Sequence, residues 1–164
     1  MTKWQLPPQG TTKLNVDGAI FHTNGSAGVG LILRDWEGKV LLAVSKKEVA
    51  VMEPLEIELI ATLRGLQFCI PLGLQSLSIE TDSLILAQEL SKLELSNYMF
   101  RNVVIDIKQL QTRILVCSIV HVNREGNELA HKLARFGRNV IDTSVWWESV
   151  PHSVEQVLWT DLLL

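Results

Sequence analysis

Apolar and polar residues alternate near the N-terminus of the chain. Residues 13–18 follow a period of two and place Asp17 among the polar positions, a pattern that is typical of a half-buried strand. β-prone apolar runs follow at residues 28–33 and 40–44, and residues 35–38 between them have the composition of a turn. The pattern predicts a three-stranded antiparallel meander with Asp17 on the polar face of its first strand.

The apolar period changes after this meander. Leucine and isoleucine recur every three to four residues across residues 54–70, with Pro54 near the first turn, and this spacing predicts an amphipathic helix. The same reasoning predicts, in order, a strand ending near Asp82, a helix at residues 84–90, a helix at residues 98–112, a strand at residues 114–122 and a last helix opened by Gly126 and Asn127.

This order of elements, βββαβααβα, indicates an α/β fold. Two parallel neighbouring strands need a crossover connection, and a helix usually provides it. We therefore expect a five-stranded mixed sheet, with three antiparallel strands followed by two parallel ones, flanked by helices.

A chain of 164 residues fits one domain with one core. We place the body of that domain at residues 10–140. After Arg138 the composition changes to a tryptophan-containing segment with an apolar end, so residues 141–164 are interpreted as a tail. Two interpretations of the tail are open. It packs on the domain or continues into a longer polyprotein, or it docks a partner.

Composition narrows the class of protein. The hydrophobic content of 47% argues against a disordered chain, and the longest apolar run, residues 27–33, is far shorter than the roughly 20 residues of a membrane-spanning helix. The N-terminal residues carry no export or organelle signal, so we expect a soluble intracellular protein, of the nucleus or cytoplasm, that binds no membrane. Cys69 and Cys117 lie in apolar surroundings and are expected to be buried free thiols.

The overall charge does not favour binding to a polyanion. The net charge is −3 and the pI is about 5.8, so the chain has no global basic field. Any bound nucleic acid would therefore need local basic residues or a metal ion.

Three acidic residues fall at positions that suggest chemistry. Asp17 lies on a strand, Asp82 lies where another strand ends, and Glu58 lies beside the apolar stripe of the first helix. A carboxylate beside an apolar stripe needs compensation, which the helix dipole supplies at about 0.3–1 kcal/mol and a divalent cation supplies more strongly. Glu56 lies about 200° around the helix from Glu58 and is interpreted as a solvated acid. Each acid alone fits a cap or a solvated charge, but together they suggest a metal-binding cluster.

An ordered set of short segments spans nearly the whole chain: residues 4–8, 13–19, 28–35, 54–59, 80–83 and 121–134. With these segments the sequence resembles the ribonuclease H family, and most closely the plant ribonuclease H-like domains found at the ends of retroelement reverse transcriptases and as free-standing proteins. The resemblance implies a ribonuclease H-like fold.

The resemblance also implies an activity and its residues. The family's catalytic carboxylates correspond to Asp17, Glu58 and Asp82, which would hold two Mg²⁺ or Mn²⁺ ions about 3.5–4 Å apart, an arrangement that activates water for in-line displacement at phosphorus. The family cuts the RNA strand of RNA/DNA hybrids and reads the RNA by its 2′-hydroxyl groups. Substrate contacts are implied for Gly18, Asn24, Ser26, Ser83, His121 and Asn127.

Three of these implied roles have an equally simple alternative. Asn24 and Ser26 lie in a Gly/Asn-rich segment after the first strand, where a plain turn explains them as well as contact with a nucleic-acid backbone does. His121 matches a family loop histidine loosely, and a residue that merely ends a strand explains it too.

The chain departs from the family at the fourth carboxylate. His131 stands where the family pattern has Asp, and it lies four residues after Asn127, so both can face the same side of the last helix. His131 is therefore a candidate catalytic residue, the alternative being a surface histidine. Because Mg²⁺ prefers oxygen ligands and Mn²⁺ tolerates nitrogen better, we expect Mn²⁺ to support cleavage better than Mg²⁺.

Three functions remain in competition. The first is a metal-dependent endonuclease acting on RNA/DNA hybrids. The second is a catalytically weakened nucleic-acid-binding or interaction module, which His131 and the acidic pI favour. The third is a partner-docking protein that uses the tail. The oligomeric state is open.

Overall fold

The computed structural model describes residues 3–92 and 99–163. In chain order the regular elements are β1 (Thr12–Phe21), β2 (Ser26–Arg34), β3 (Val40–Val49), α1 (Pro54–Cys69), β4 (Ser76–Thr81), α2 (Leu84–Ser91), α3 (Arg101–Gln111), β5 (Val116–His121), α4 (Glu128–Phe136), β6 (Thr143–Trp147) and α5 (Glu155–Leu162). The sequence places the start of α3 at Tyr98, which lies outside the described residues.

The strands form one mixed sheet in the order β5-β4-β1-β2-β3-β6. The pairs β1–β2, β2–β3 and β3–β6 are antiparallel, whereas β4 pairs in parallel with both β1 and β5. The expected α/β fold with a mixed sheet is confirmed. The expected number of strands is wrong, because the residues that the structure describes form six strands rather than five.

The sixth strand lies in the segment that the sequence analysis treats as a tail. β6 pairs with the edge strand β3, with Val145 opposite Val44. Its two tryptophans stand on opposite faces of the sheet, as the period of two requires, and Trp146 packs edge-on against Phe136 of α4 with the ring centroids 5.7 Å apart. The segment therefore extends the sheet, although its composition gave no strand pattern. The division of the chain at residue 140 stays a prediction.

Helices cover both faces of the sheet. The larger apolar core unites α1, α2 and α3 with one face, where Leu14 and Val16 of β1 are buried. On the opposite face, α4 packs on β2 and β3 around Leu133. β1 lies between the two layers, so its first six residues are buried on both faces rather than on one. The strand that the sequence describes as half-buried is thus a central strand with a buried polar face.

α4 packs directly on the backbone of β2. A Cβ atom on Gly28 would lie 2.0 Å from the Ala134 carbonyl oxygen, and one on Gly30 would lie 2.1 Å from the Ala130 carbonyl oxygen. Only glycine permits an approach this close. The two glycines therefore fix the height of α4 above the sheet, and with it the position of every side chain that α4 turns toward β1.

Two smaller expectations concern the cysteines and the membrane. Cys69 is a buried free thiol as expected, but Cys117 is only half-buried, because its strand β5 is an edge of the sheet. Within residues 3–92 and 99–163, no helix is both long enough and apolar enough to cross a membrane.

Candidate metal centre

The parallel register of β1 and β4 brings two acids together. Val16 lies opposite Thr81, so Asp17 and Asp82 are the next residues on neighbouring strands. Asp17 is buried in the centre of the sheet, whereas Asp82 is half-buried beyond the end of β4. The two acids that the sequence places on the polar face of one strand and at the end of another are therefore neighbours in the fold.

Glu58 reaches the same place from α1. Its Oε1 accepts a hydrogen bond of 2.8 Å from the Gly18 backbone N–H, which fixes the carboxylate beside β1. A Cβ atom on Gly18 would lie 2.8 Å from the Ile57 side chain and 3.1 Å from Glu58 Oε1. Gly18 must therefore lack a side chain for α1 to approach β1, which is a positioning role for a residue that was predicted to bind substrate.

The second oxygen of Glu58 is the strongest sign of a ligand. Glu58 is only 8% exposed, and in its ionised form its buried Oε2 finds no hydrogen-bond donor in the described part of the chain. Leaving such a buried group unsatisfied is costly. Asp17, Glu58 and Asp82 each offer a carboxylate oxygen, and these oxygens lie within 4.8 Å of one another. Hard oxygen donors at this spacing fit a divalent cation such as Mg²⁺ or Mn²⁺.

The electrostatics of the acids favour a positive charge beside them. Burial, followed by the negative charge of Asp17, raises the pKa of Glu58 to about 10. Burial and Asp17 also raise the pKa of Asp82, against the opposing effect of Arg124. Without a cation, Glu58 therefore carries a proton at neutral pH, which a bound cation would displace. Glu56 is not part of this cluster, as its position around the helix predicts.

Asn127 connects the last helix to the acidic strand. Its side chain is 1% exposed, and its Nδ2 donates to the Val16 carbonyl oxygen at 2.9 Å. Its Oδ1 accepts from Asn15 Nδ2 at 3.0 Å, and Asn15 in turn accepts from Trp4 Nε1. Both ends of the amide are thus used inside the protein. Asn127 positions the start of α4 next to Asp17, and its expected contact with substrate stays a prediction.

His131 contacts the cluster without joining it. Its Nδ1 lies 2.9 Å from Asp17 Oδ2, as the spacing from Asn127 along α4 predicts. It is not one of the groups whose ligand atoms converge on a common centre. The geometry therefore favours a residue that orients the Asp17 carboxylate over one that replaces the fourth carboxylate.

Arg124 is the residue that the sequence analysis missed. It lies in a short 3₁₀ turn before α4, and its Nε donates to Asp82 Oδ2. Its Nη1 is 3.2 Å and 3.3 Å from the two ring nitrogens of His131. A signal was present in the sequence, because Arg124, Asn127 and His131 are spaced by three and then four residues, which puts them on one side of a helical segment.

The other predicted substrate residues do not join the cluster. Ser83 caps α2 by accepting from the Leu86 N–H at 3.2 Å. Asn24 accepts from the backbone and hydroxyl of Ser26 in the β1–β2 turn, which fits the plain-turn interpretation. His121 is exposed at the end of β5, opposite Thr81, so it lies near the same edge of the sheet as Asp82. Their contact with a substrate stays a prediction.

A mixed sheet of this strand order, helices on both faces and an acid cluster at the end of its central strands define a ribonuclease H-like domain. The sequence profile of the family described as reverse transcriptase-like matches residues 15–137. The chain belongs to that family. No curated protein is significantly similar to it in sequence.

Solved structures support the same fold. Ribonuclease H1 from the halophilic archaeon Halobacterium salinarum superposes with a TM-score of 0.72 and 23% identity, over 79% of this chain and 98% of that one. A ribonuclease H1 isolated from compost by a metagenomic approach gives 0.71 and 19%, over 80% and 97%. The RNA/DNA-hybrid complex of the compost protein gives 0.67 and 18%, over 76% and 94%.

Proposed function

We propose that this chain is a metal-dependent endonuclease that cleaves the RNA strand of RNA/DNA hybrids. The observation that carries the proposal is the convergence of Asp17, Glu58 and Asp82, together with a buried Glu58 Oε2 that has no hydrogen-bond partner among the described residues. The similarity to a protein whose structure was solved with an RNA/DNA hybrid supports the choice of substrate class. The plant retroelement subtype and an intracellular location are parts of the same proposal.

Each residue of the cluster has a part in this function. Asp17, Glu58 and Asp82 would hold Mg²⁺ or Mn²⁺, and the bound metal supplies activation of a water and stabilisation of the leaving oxygen. Gly18 holds one Glu58 oxygen by its N–H and leaves the other free to bind. His131 orients Asp17 from the opposite side. Glu58 would have to lose its proton to hold a cation, so metal affinity should rise with pH.

The nucleic acid would be bound by local groups, since the chain as a whole is acidic. Phosphates approach an acidic centre only when cations neutralise it. The exposed His121 and the exposed part of Arg124 lie near the ends of β4 and β5 beside the cluster and are available to contact a backbone.

A second candidate is a catalytically weakened module that binds hybrids or a protein partner. The specific observation in its favour is the ion pair between Arg124 and Asp82, because it uses a carboxylate that a metal would otherwise bind. The two candidates share the fold and differ in whether the cluster performs chemistry.

The test is cleavage of an end-labelled RNA/DNA hybrid in Mg²⁺ and, separately, in Mn²⁺. Wild type is expected to cut the RNA strand, and Asp17→Asn is expected to lower the rate by at least about a hundredfold. Glu56→Gln, which changes an acid of α1 outside the cluster, is the control and should cut like wild type. A folded wild-type protein that binds the hybrid and cuts it in neither metal would favour the weakened module.

A further inference from the structure

We propose that Arg124 is a built-in cation of the acidic cluster, so that the centre takes one divalent ion instead of two. This inference rests on the proposed function only in taking the cluster as a metal centre. It concerns the number of ions bound, which is independent of whether the protein cuts a hybrid.

The contacts of Arg124 place its charge within the cluster. Its Nε donates to Asp82 Oδ2; the Asp82 side chain is only 9% exposed and that of Arg124 is 54% exposed, so the guanidinium reaches an enclosed carboxylate from the surface. The Nη1 atom is almost equally far from both ring nitrogens of His131. The guanidinium therefore faces the imidazole as a whole, and that imidazole holds Asp17. Arg124 thus contacts one acid directly and a second one through His131.

The formal charges of the cluster then match a single divalent ion. Three ionised carboxylates carry −3, and the guanidinium, which is always protonated in proteins, brings the sum to −2. One divalent cation neutralises that sum. A second would leave the buried centre with a charge of +2, next to an arginine that repels it.

The geometry also indicates which acids bind the ion. Asp82 is engaged by Arg124, whereas Glu58 also offers a carboxylate oxygen to the cluster, and its buried Oε2 has no hydrogen-bond partner among the described residues. The Gly18 N–H holds the other Glu58 oxygen in place. We therefore place the ion between Glu58 and Asp17, with the guanidinium on the Asp82 side, where a second ion would otherwise lie.

The experiment counts Mn²⁺ ions bound to the full chain by calorimetric titration, with electron paramagnetic resonance of free Mn²⁺ as an independent count. Wild type is expected to bind one ion. Arg124→Gln removes the charge and is expected to bind two, whereas Arg124→Lys keeps the charge and should bind one. Arg135 is an exposed arginine on α4. Arg135→Gln makes the same charge change outside the cluster and should also bind one ion.

Each outcome tests whether Arg124 limits the cluster to one ion. Two ions in wild type, or two in Arg124→Lys, would overturn the inference even if Arg124→Gln fails to fold. One ion in a folded Arg124→Gln, or no ion in wild type, would overturn it as well. One ion in wild type with no hybrid cleavage would leave the inference standing and count against the proposed endonuclease.

Discussion

Arg34 of β2 and Asp161 of α5, which are 127 residues apart in the sequence, form a buried ion pair. Arg34 Nη1 lies 2.8 Å from Asp161 Oδ2, and the two side chains are 1% and 5% exposed. The guanidinium also lies 3.9 Å from the centre of the Trp4 ring. The pair therefore joins the N-terminal segment, the sheet and the last helix on one face of the domain.

Removing one partner of this pair is expected to destabilise the fold. Asp161→Ala leaves the Arg34 charge buried without a counter-ion, and breaking a buried pair in this way costs about 3–5 kcal/mol of unfolding free energy. Urea denaturation followed by circular dichroism measures the change. Glu155→Ala is the control, because its pair with His152 is exposed and such pairs contribute about 0–1 kcal/mol. Equal losses in the two variants would show that the buried pair is not a structural contact.

Residues whose positions follow from local periodicity were predictable. Asp17 and Asp82 come from a strand pattern and a strand end. The element order predicts parallel strands, but the register that joins the two acids comes only from the structure. Glu58 stood out because it lies beside an apolar stripe. The resemblance added the role that these acids share.

Contacts that depend on the three-dimensional path of the chain were not predictable. β6 forms because β3 offers a free edge, and its own sequence carries too short a pattern to indicate a strand. Asn127 was expected to bind substrate, but the position of α4 turns its amide toward β1. Arg124 was missed because its partners Asp82 and His131 come from distant parts of the sequence.

The protonation of Glu58 predicts how the stability of the metal-free protein depends on pH. Its pKa is about 10 in the folded protein, whereas a solvent-exposed glutamate, as in the unfolded chain, has a pKa of 4.5. Between these two pH values the folded chain therefore holds a proton that the unfolded chain has lost. Stability must then fall as pH rises through this window. The melting temperature of wild type in a chelator is therefore expected to fall from about pH 5 to about pH 9 relative to that of Glu58→Gln, which has no proton to lose there.

The matched control for this effect is Glu56→Gln. Glu56 is half-exposed on the same helix and outside the cluster, so its melting curve should keep the pH dependence of wild type. Added Mn²⁺ should raise the melting temperature of wild type most at high pH, because the cation replaces the proton. A wild-type curve parallel to that of Glu58→Gln would contradict the raised pKa.

The metal preference tests the part played by His131. In this structure its Nδ1 lies 2.9 Å from Asp17 Oδ2, and a preference for Mn²⁺ would require the imidazole to bind the ion directly, because Mn²⁺ tolerates a nitrogen ligand better than Mg²⁺ does. We expect wild type to cleave the hybrid faster in Mn²⁺.

His131→Asp supplies another oxygen ligand and should raise the Mg²⁺ rate on the order of tenfold, which narrows the difference between the metals. His131→Ala should lower the affinity for both metals about equally, because Asp17 loses the group that orients it. Equal wild-type rates in the two metals, unchanged by His131→Asp, would mean that the imidazole has no influence on the ion.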